Sequence, residues 1–247
     1  MNTSRDLLAQ LVRFDTTSRE SNLALIDFVR TYLQDHGVAC ELVYNEHKSK
    51  ANLLATIGPA DVPGIVLSGH TDVVPVDGQR WSVAPFELTE KDGKLHGRGT
   101  ADMKGYIACV LACVPALVKA PLRLPVHIAL SYDEEVGCLG VRSLLAVLQE
   151  RPVKPMLCII GEPTELKPVL GHKGKLAMRC DVHGEACHSA YAPYGVNAIE
   201  HAAELIGELG RIGQRLQERG VETFDDRRRR VPLDRKAHKS AIFDREC

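Results

Sequence analysis

The sequence predicts an α/β protein: an open, mixed or parallel sheet flanked by helices. Short apolar runs that suit buried strands alternate with longer runs of helical period. Chemically capable residues collect at the ends of those runs, where open α/β sheets bind their ligands. No internal repeat or low-complexity segment interrupts the pattern.

The elements follow in order. "SRDLLAQLVRF" (4–14) and "SNLALIDFVRTYLQDHG" (21–37) repeat apolar residues at helical spacing, and Gly37 ends the second in the manner of a helix C-cap. "VACELVY" (38–44), "ANLLATIG" (51–58) and "GIVLSGH" (64–70) read as strands. "MKGYIACVLACVPALVKA" (103–120) predicts a helix so rich in small and apolar residues that it should be packed on more than one side. "LPVHIALSYDEE" (124–135) predicts a strand ending in acids, "VGCLGVRSLLAVLQE" (136–150) a helix, and "PMLCIIGEPTE" (155–165) a further strand.

Composition narrows the class. A chain of 247 residues, 45% hydrophobic and 26% charged, is long enough for one large or two small domains. A net charge of -1 gives no electrostatic footprint for nucleic acid. The amino terminus carries no apolar signal region and no run is long enough to span a bilayer, so no membrane partner is expected and the cytoplasm is the expected compartment. None of the eight cysteines forms a C-x-x-C pair, and Cys109, Cys113 and Cys158 sit in apolar runs as small, reduced core residues would.

"GIVLSGH" ends abruptly on His70, followed two residues later by Asp72. Positions i and i+2 of an extended chain face the same side, so the two side chains can reach one point. A metal site, a proton relay and a plain turn are all open at this stage. "LSGHTD", "GRGTADMKG", "LSYDEE" and "IIGEPTE" bring His70, Asp72, Asp102, Glu134, Glu135 and Glu162 to the ends of apolar elements. Each has a bland alternative: Asp102 favouring a helix dipole, the acids of "DEE" at a helix amino terminus, Glu162 exposed in a turn. Taken jointly, one histidine with several carboxylates suits zinc, cobalt or manganese, and so many acids in one cleft argue for two ions. "GRGTADMKG" lacks the spacing of a dinucleotide-binding loop.

"SGHTDVVP", "LHGRGTADMKG", "DEEVGCLG", "IIGEPT" and "GHKGKLAMRCDVHGEACHSAYAPYGVNAIE" together resemble the dinuclear metal-dependent amidohydrolases of the M20 peptidase family, most closely the acetylornithine deacetylase branch. The resemblance implies two divalent ions, Zn2+ or Co2+, and hydrolysis of an N-acyl amino acid as small-molecule substrate, with another M20 activity, such as a succinyl-diaminopimelate desuccinylase or an aminoacylase, or a non-catalytic remnant as the alternatives. It makes His70 a ligand of one ion, Asp102 the bridge, Glu135 a ligand of one ion and Glu162 of the other. It makes Asp72 the carboxylate that orients His70, and Glu134 the general base. His188 resembles the lid-domain histidine that steadies the oxyanion across a homodimer, whereas His172, His183 and His201 have no comparable claim.

The likeness fades at about residue 210, after what would be the first strand and first helix of the family's lid. The expected organisation is therefore a catalytic domain over 1–170, incomplete without the family's later part, a partial lid or dimerisation domain over 171–212 and a disordered tail over 213–247. From Arg211 to Cys247 the chain carries 11 Lys and Arg against 7 Asp and Glu with scarcely any apolar period, too little to offset ordering entropy. A truncation or shifted reading frame, with impaired turnover and dimerisation, is the expectation. His238 in "DRKAHKSA" is a weak candidate for the family's last metal histidine.

Overall fold

The computed structural model describes residues 3–171 and 178–218. The chain divides into two units, Met1–Leu166 and Lys167–Cys247. In the first, helices α1 (Ser4–Val12) and α2 (Leu23–Asp35) precede strands β1 (Cys40–Tyr44), β2 (Ala51–Ile57) and β3 (Ile65–His70). A hairpin of β4 (Thr89–Lys91) and β5 (Lys94–His96) leads to α3 (Lys104–Lys119), β6 (Val126–Ser131), α4 (Val141–Glu150) and β7 (Leu157–Ile160).

The sheet runs β1-β2-β6-β3-β7. β2 is antiparallel to β1 and β6, whereas β3 is parallel to β6 and β7, so the sheet is mixed and the carboxyl ends of β3, β6 and β7 share one edge. Alternation along the strands divides the core. Leu53, Ala55, Ile128 and Leu130 pack with α1, α2 and α3, while Leu54, Val66 and Ala129 face Leu144 of α4. A reciprocal capping box opens α1: Thr3 Oγ1 accepts from the Asp6 N–H and Asp6 Oδ2 from the Thr3 N–H.

Several expectations change. α3 packs against both α1 and β3, with Ile107, Ala108, Val110, Leu111 and Val114 buried, but Cys109 and Cys113, expected in the core, are exposed on its far face. Cys158 is exposed as well, because all four residues of the edge strand β7 are exposed. The helix expected from residue 136 begins at Val141. Residues 136–140 turn instead, with Gly137 and Cys138 at φ +109° and +54°. The hairpin was not anticipated, although its Asp92-Gly93 pair, at φ +53° and +69°, is the dipeptide that tight hairpin turns favour.

In the second unit, main-chain bonds of 2.9 and 3.0 Å join Glu185 to Val196 around a short 3₁₀ stretch, Ser189–Tyr194, and α5 follows over Ala198–Glu218. Residues 213–218, expected in the tail, continue α5, since Leu205, Leu209, Ile212 and Leu216 keep a helical apolar row. The segment expected as a lid strand falls partly outside the described residues, and its described part, 178–184, carries no strand. His172, the basic run 227–230 and His238 also lie outside them. No described helix is long and apolar enough to cross a membrane.

Lys104 is fully buried, its Nζ donating to the Phe14 carbonyl at 2.7 Å. Burial, opposed weakly by the Asp15 carboxylate, pushes this ammonium down from 10.5 to about 7. Between pH 7 and 10.5 the unfolded chain therefore holds a proton that the folded chain lacks. Stability rises with pH across that window, and below it the gain is absent. Urea denaturation of wild type and Lys104→Met at pH 7 and 9.5 should show the wild type gaining on the variant as pH rises. Parallel behaviour would show that the buried lysine stays charged.

Candidate metal centre

The site is built where β3 gives way to loop. Thr16 Oγ1 donates to the Thr71 carbonyl (2.6 Å), the Val73 N–H to the Thr16 carbonyl (3.1 Å) and the Ser18 N–H to the Val73 carbonyl (3.2 Å). Asn22, at the start of α2, clasps both main-chain groups of Ala51 and donates to Thr71 Oγ1 at 3.0 Å. Residues 70–73 are thus held on two sides before any acid approaches.

His70 is 2% exposed. Its Nδ1 lies 2.9 Å from the Asp72 main-chain carbonyl. A carbonyl only accepts, so Nδ1 carries the proton and Nε2 is left to face outward. Asp102 Oδ1 stands 2.8 Å from Nε2, Glu162 Oε1 3.7 Å and Glu134 Oε2 4.0 Å. The Asp72 carboxylate, expected as the orienting group, is the more distant partner of Nδ1 at 3.5 Å.

That carboxylate also holds the acidic turn. Asp72 Oδ1 accepts from the Glu134 N–H (3.0 Å), and Oδ2 from the Glu135 N–H (3.2 Å) and the Ser18 hydroxyl (2.7 Å). Asp133, at φ +55°, pairs with Lys50 Nζ at 2.6 Å. Ser18 and Lys50 carried no signal in the sequence, because both act on residues far along the chain. Asp102 arrives on a loop with Gly99 at φ +82°, and a Cβ on Gly105 would lie 2.3 Å from the Thr100 carbonyl, so both glycines are required for the loop's path. The Asp102–Met103 peptide is cis.

The electrostatics follow from crowding. Burial alone would push the His70 imidazolium down, but Asp72 and Asp102 outweigh it and raise it to about 9. Burial, reinforced by the charges of Asp102, Glu134 and Asp72, pushes Glu135 up to about 7, only partly offset by His70. Burial would raise Asp72 too, yet its bonds to His70, Ser18 and Glu134 hold it below the usual carboxylate range.

Candidate ligand atoms of His70, Glu134 and Glu135 lie within 4.8 Å of one another, as do those of His70, Asp102 and Glu162. A ring nitrogen ringed by carboxylate oxygens needs a proton or a cation between them, and this N/O donor set fits a divalent metal. All the sequence candidates of the first unit therefore meet at one place. In the second unit, His188 Nδ1 accepts from the Ala190 N–H at 3.1 Å, and the ring meets Tyr191 edge-on at 6.1 Å between centroids.

Comparisons with known proteins bear on this geometry. The profile of peptidase family M20/M25/M40 matches residues 66–227. An acetylornithine deacetylase of Proteus mirabilis is 40% identical over 206 residues, covering 83% of this chain and 52% of that protein. One of Pasteurella multocida is 41% identical over 201 residues, covering 81% and 52%. The chain thus spans about half the length of the curated relatives it matches. The first unit's mixed sheet and helices have solved counterparts. An M20 family metallo-carboxypeptidase of Sulfolobus solfataricus has a TM-score of 0.57 at 21% identity, covering 65% of this chain and 37% of that one. A tripeptidase of Staphylococcus aureus has a TM-score of 0.55 at 18% identity, covering 83% and 55%.

A cation must displace the His70 proton and whatever fraction of protonated Glu135 remains. With the free groups at about 9 and about 7, both protons are more available to be released at pH 6.5 than at pH 9. Affinity for Zn2+ should rise as pH climbs through that range. Calorimetric titration at pH 7 in two buffers of different ionisation enthalpy should show net proton release, and pH-independent binding without release would place the ion elsewhere.

Proposed function

Because the chain belongs to peptidase family M20/M25/M40, we propose that the cluster around His70 holds two divalent ions, zinc or cobalt, and hydrolyses the N-acetyl amide of N2-acetyl-L-ornithine to L-ornithine and acetate. One observation carries the metal reading: Nε2 of a buried histidine faces carboxylates from three separate segments at distances of 2.8, 3.7 and 4.0 Å. The named activity of the two bacterial relatives favours the N-acetyl substrate.

In this reading Asp102 serves both ions, His70 and Glu135 belong to the ligand set of one or the other, and Glu162 completes it. With these residues holding divalent ions, the site would gain Lewis acidity for amide hydrolysis. Glu134, whose neighbour Glu135 is committed to a ligand role, takes the proton of the attacking water at its carboxylate and passes it to the departing amide nitrogen. Such proton transfer contributes roughly 10²–10⁴-fold in rate. Asp72 keeps Glu134 in place by holding its N–H and that of Glu135.

His188 has the tautomer an oxyanion donor needs. With Nδ1 accepting from Ala190, the ring proton sits on Nε2, free to donate to the carbonyl oxygen as it becomes anionic. Its reach to substrate is proposed to come through pairing of two copies of the chain. A second reading, metal binding without turnover, is favoured by the exposure of all of β7, the strand that leads to Glu162 and pairs with β3 alone among the described strands.

The chain loaded with Zn2+ or Co2+ should release ornithine and acetate from N2-acetyl-L-ornithine. Glu134→Ala should lower that rate at least ~10²-fold with metal content nearly unchanged, whereas Asp102→Ala should lose metal. Metal analysis beside an amine-release assay separates these outcomes. Loss of metal from the Glu134 variant would exchange the roles of the adjacent glutamates, and metal binding with no turnover in the wild type would favour the second reading.

A further inference from the structure

The turn that presents Glu134 and Glu135 is gripped at both ends by residues two apart at the start of β2. Lys50 Nζ pairs with Asp133 Oδ1 at 2.6 Å and also donates to the Ser18 carbonyl. Asn52, fully buried, donates from Nδ2 to the Gly140 carbonyl at 2.9 Å. Residues 50 and 52 share a face of the extended chain, so one short segment spans the whole turn.

The contacts close on themselves. Lys50 holds Asp133 and Ser18; Ser18 gives its hydroxyl to Asp72; Asp72 holds the N–H groups of Glu134 and Glu135, which follow Asp133 directly. The Lys50 and Asp133 side chains are 13% and 17% exposed, against 60% and 52% for the surface pair Arg5–Glu90. A pair so enclosed fixes geometry in a way that a solvated one does not. Asp133 also sits at φ +55°, a backbone conformation uncommon outside glycine, which needs neighbouring contacts to keep it.

We infer that Lys50 is a positioning residue for the cation cluster: through Asp133 and Ser18 it sets where the two glutamates stand against His70, and thereby how tightly a divalent ion is held. This rests on the metal reading above. Lys50 touches no candidate ligand, so its effect is indirect, as with the outer partners whose loss typically weakens metal binding 10–100-fold.

The test measures Zn2+ affinity of the full chain by competition with a chromophoric chelator, beside thermal unfolding of the metal-free protein. Lys50→Met and Asp133→Asn should each weaken Zn2+ binding about 10-fold or more. Their combination should weaken it little further, because both break the same pair. Lys50→Arg, which keeps the charge, should recover most of the affinity. A purely stabilising role would lower the unfolding temperature of the variants and leave the Zn2+ affinity of the folded protein at the wild-type value, and that result overturns the inference. If Lys50→Met does not fold, Asp133→Asn and Lys50→Arg decide by the same comparison. No Zn2+ binding by the wild-type chain would overturn the metal reading and this inference with it.

Discussion

A carboxylate that is 2% exposed stays ionised only if its oxygens are engaged, and Asp72 engages both. It receives a hydroxyl from the amino-terminal segment and two main-chain N–H groups from the turn after β6, while its own carbonyl fixes the ring of His70. Three stretches distant in sequence are thus registered against one side chain. Without it, the Glu134 and Glu135 N–H groups would lose their acceptor and the acidic turn its reason to lie beside β3.

The rest of the architecture brings the charges to that point. β3, β6 and β7 run parallel, so the loops that leave them emerge together, and β6 and β7 each deliver acids just beyond their last residues. Left to themselves these groups repel: Glu135 rises towards neutrality and His70 clings to its proton. A dication at the sheet edge would relieve this crowding, and metal and fold would then stabilise each other.

The five strands of the main sheet and the site's acids were legible because each depends on local pattern: an apolar run, then a polar group at its end. Even the β3 ending was readable, since His70 and Asp72 follow "GIVLSG" directly. What escaped depends on long-range closure. Ser18 reaches Asp72 across 54 positions and Lys50 reaches Asp133 across 83, and neither has a local signature. The exposure of two cysteines on α3 escaped for another reason. Its alanines and cysteines are small enough to sit on either face, so composition could not say that Cys109 and Cys113 look outward. The Asp92-Gly93 hairpin, by contrast, was written locally and overlooked, because its three-residue strands are too short to show alternation.

The exposure of β7 sets an order of events within the native state. This strand is four residues long, exposed at every residue and paired with β3 alone among the described strands, apart from a hydroxyl bond from Tyr106 to the Ile159 carbonyl, whereas β2 and β6 have strands on either side. Amide exchange should be fastest there, and sub-global opening should begin by peeling β7 from β3. Each such excursion carries Glu162 away while His70, Asp72 and the acidic turn keep their places. The cluster thus has a rigid wall and a fraying one, and ions would leave and enter on the timescale of the fray.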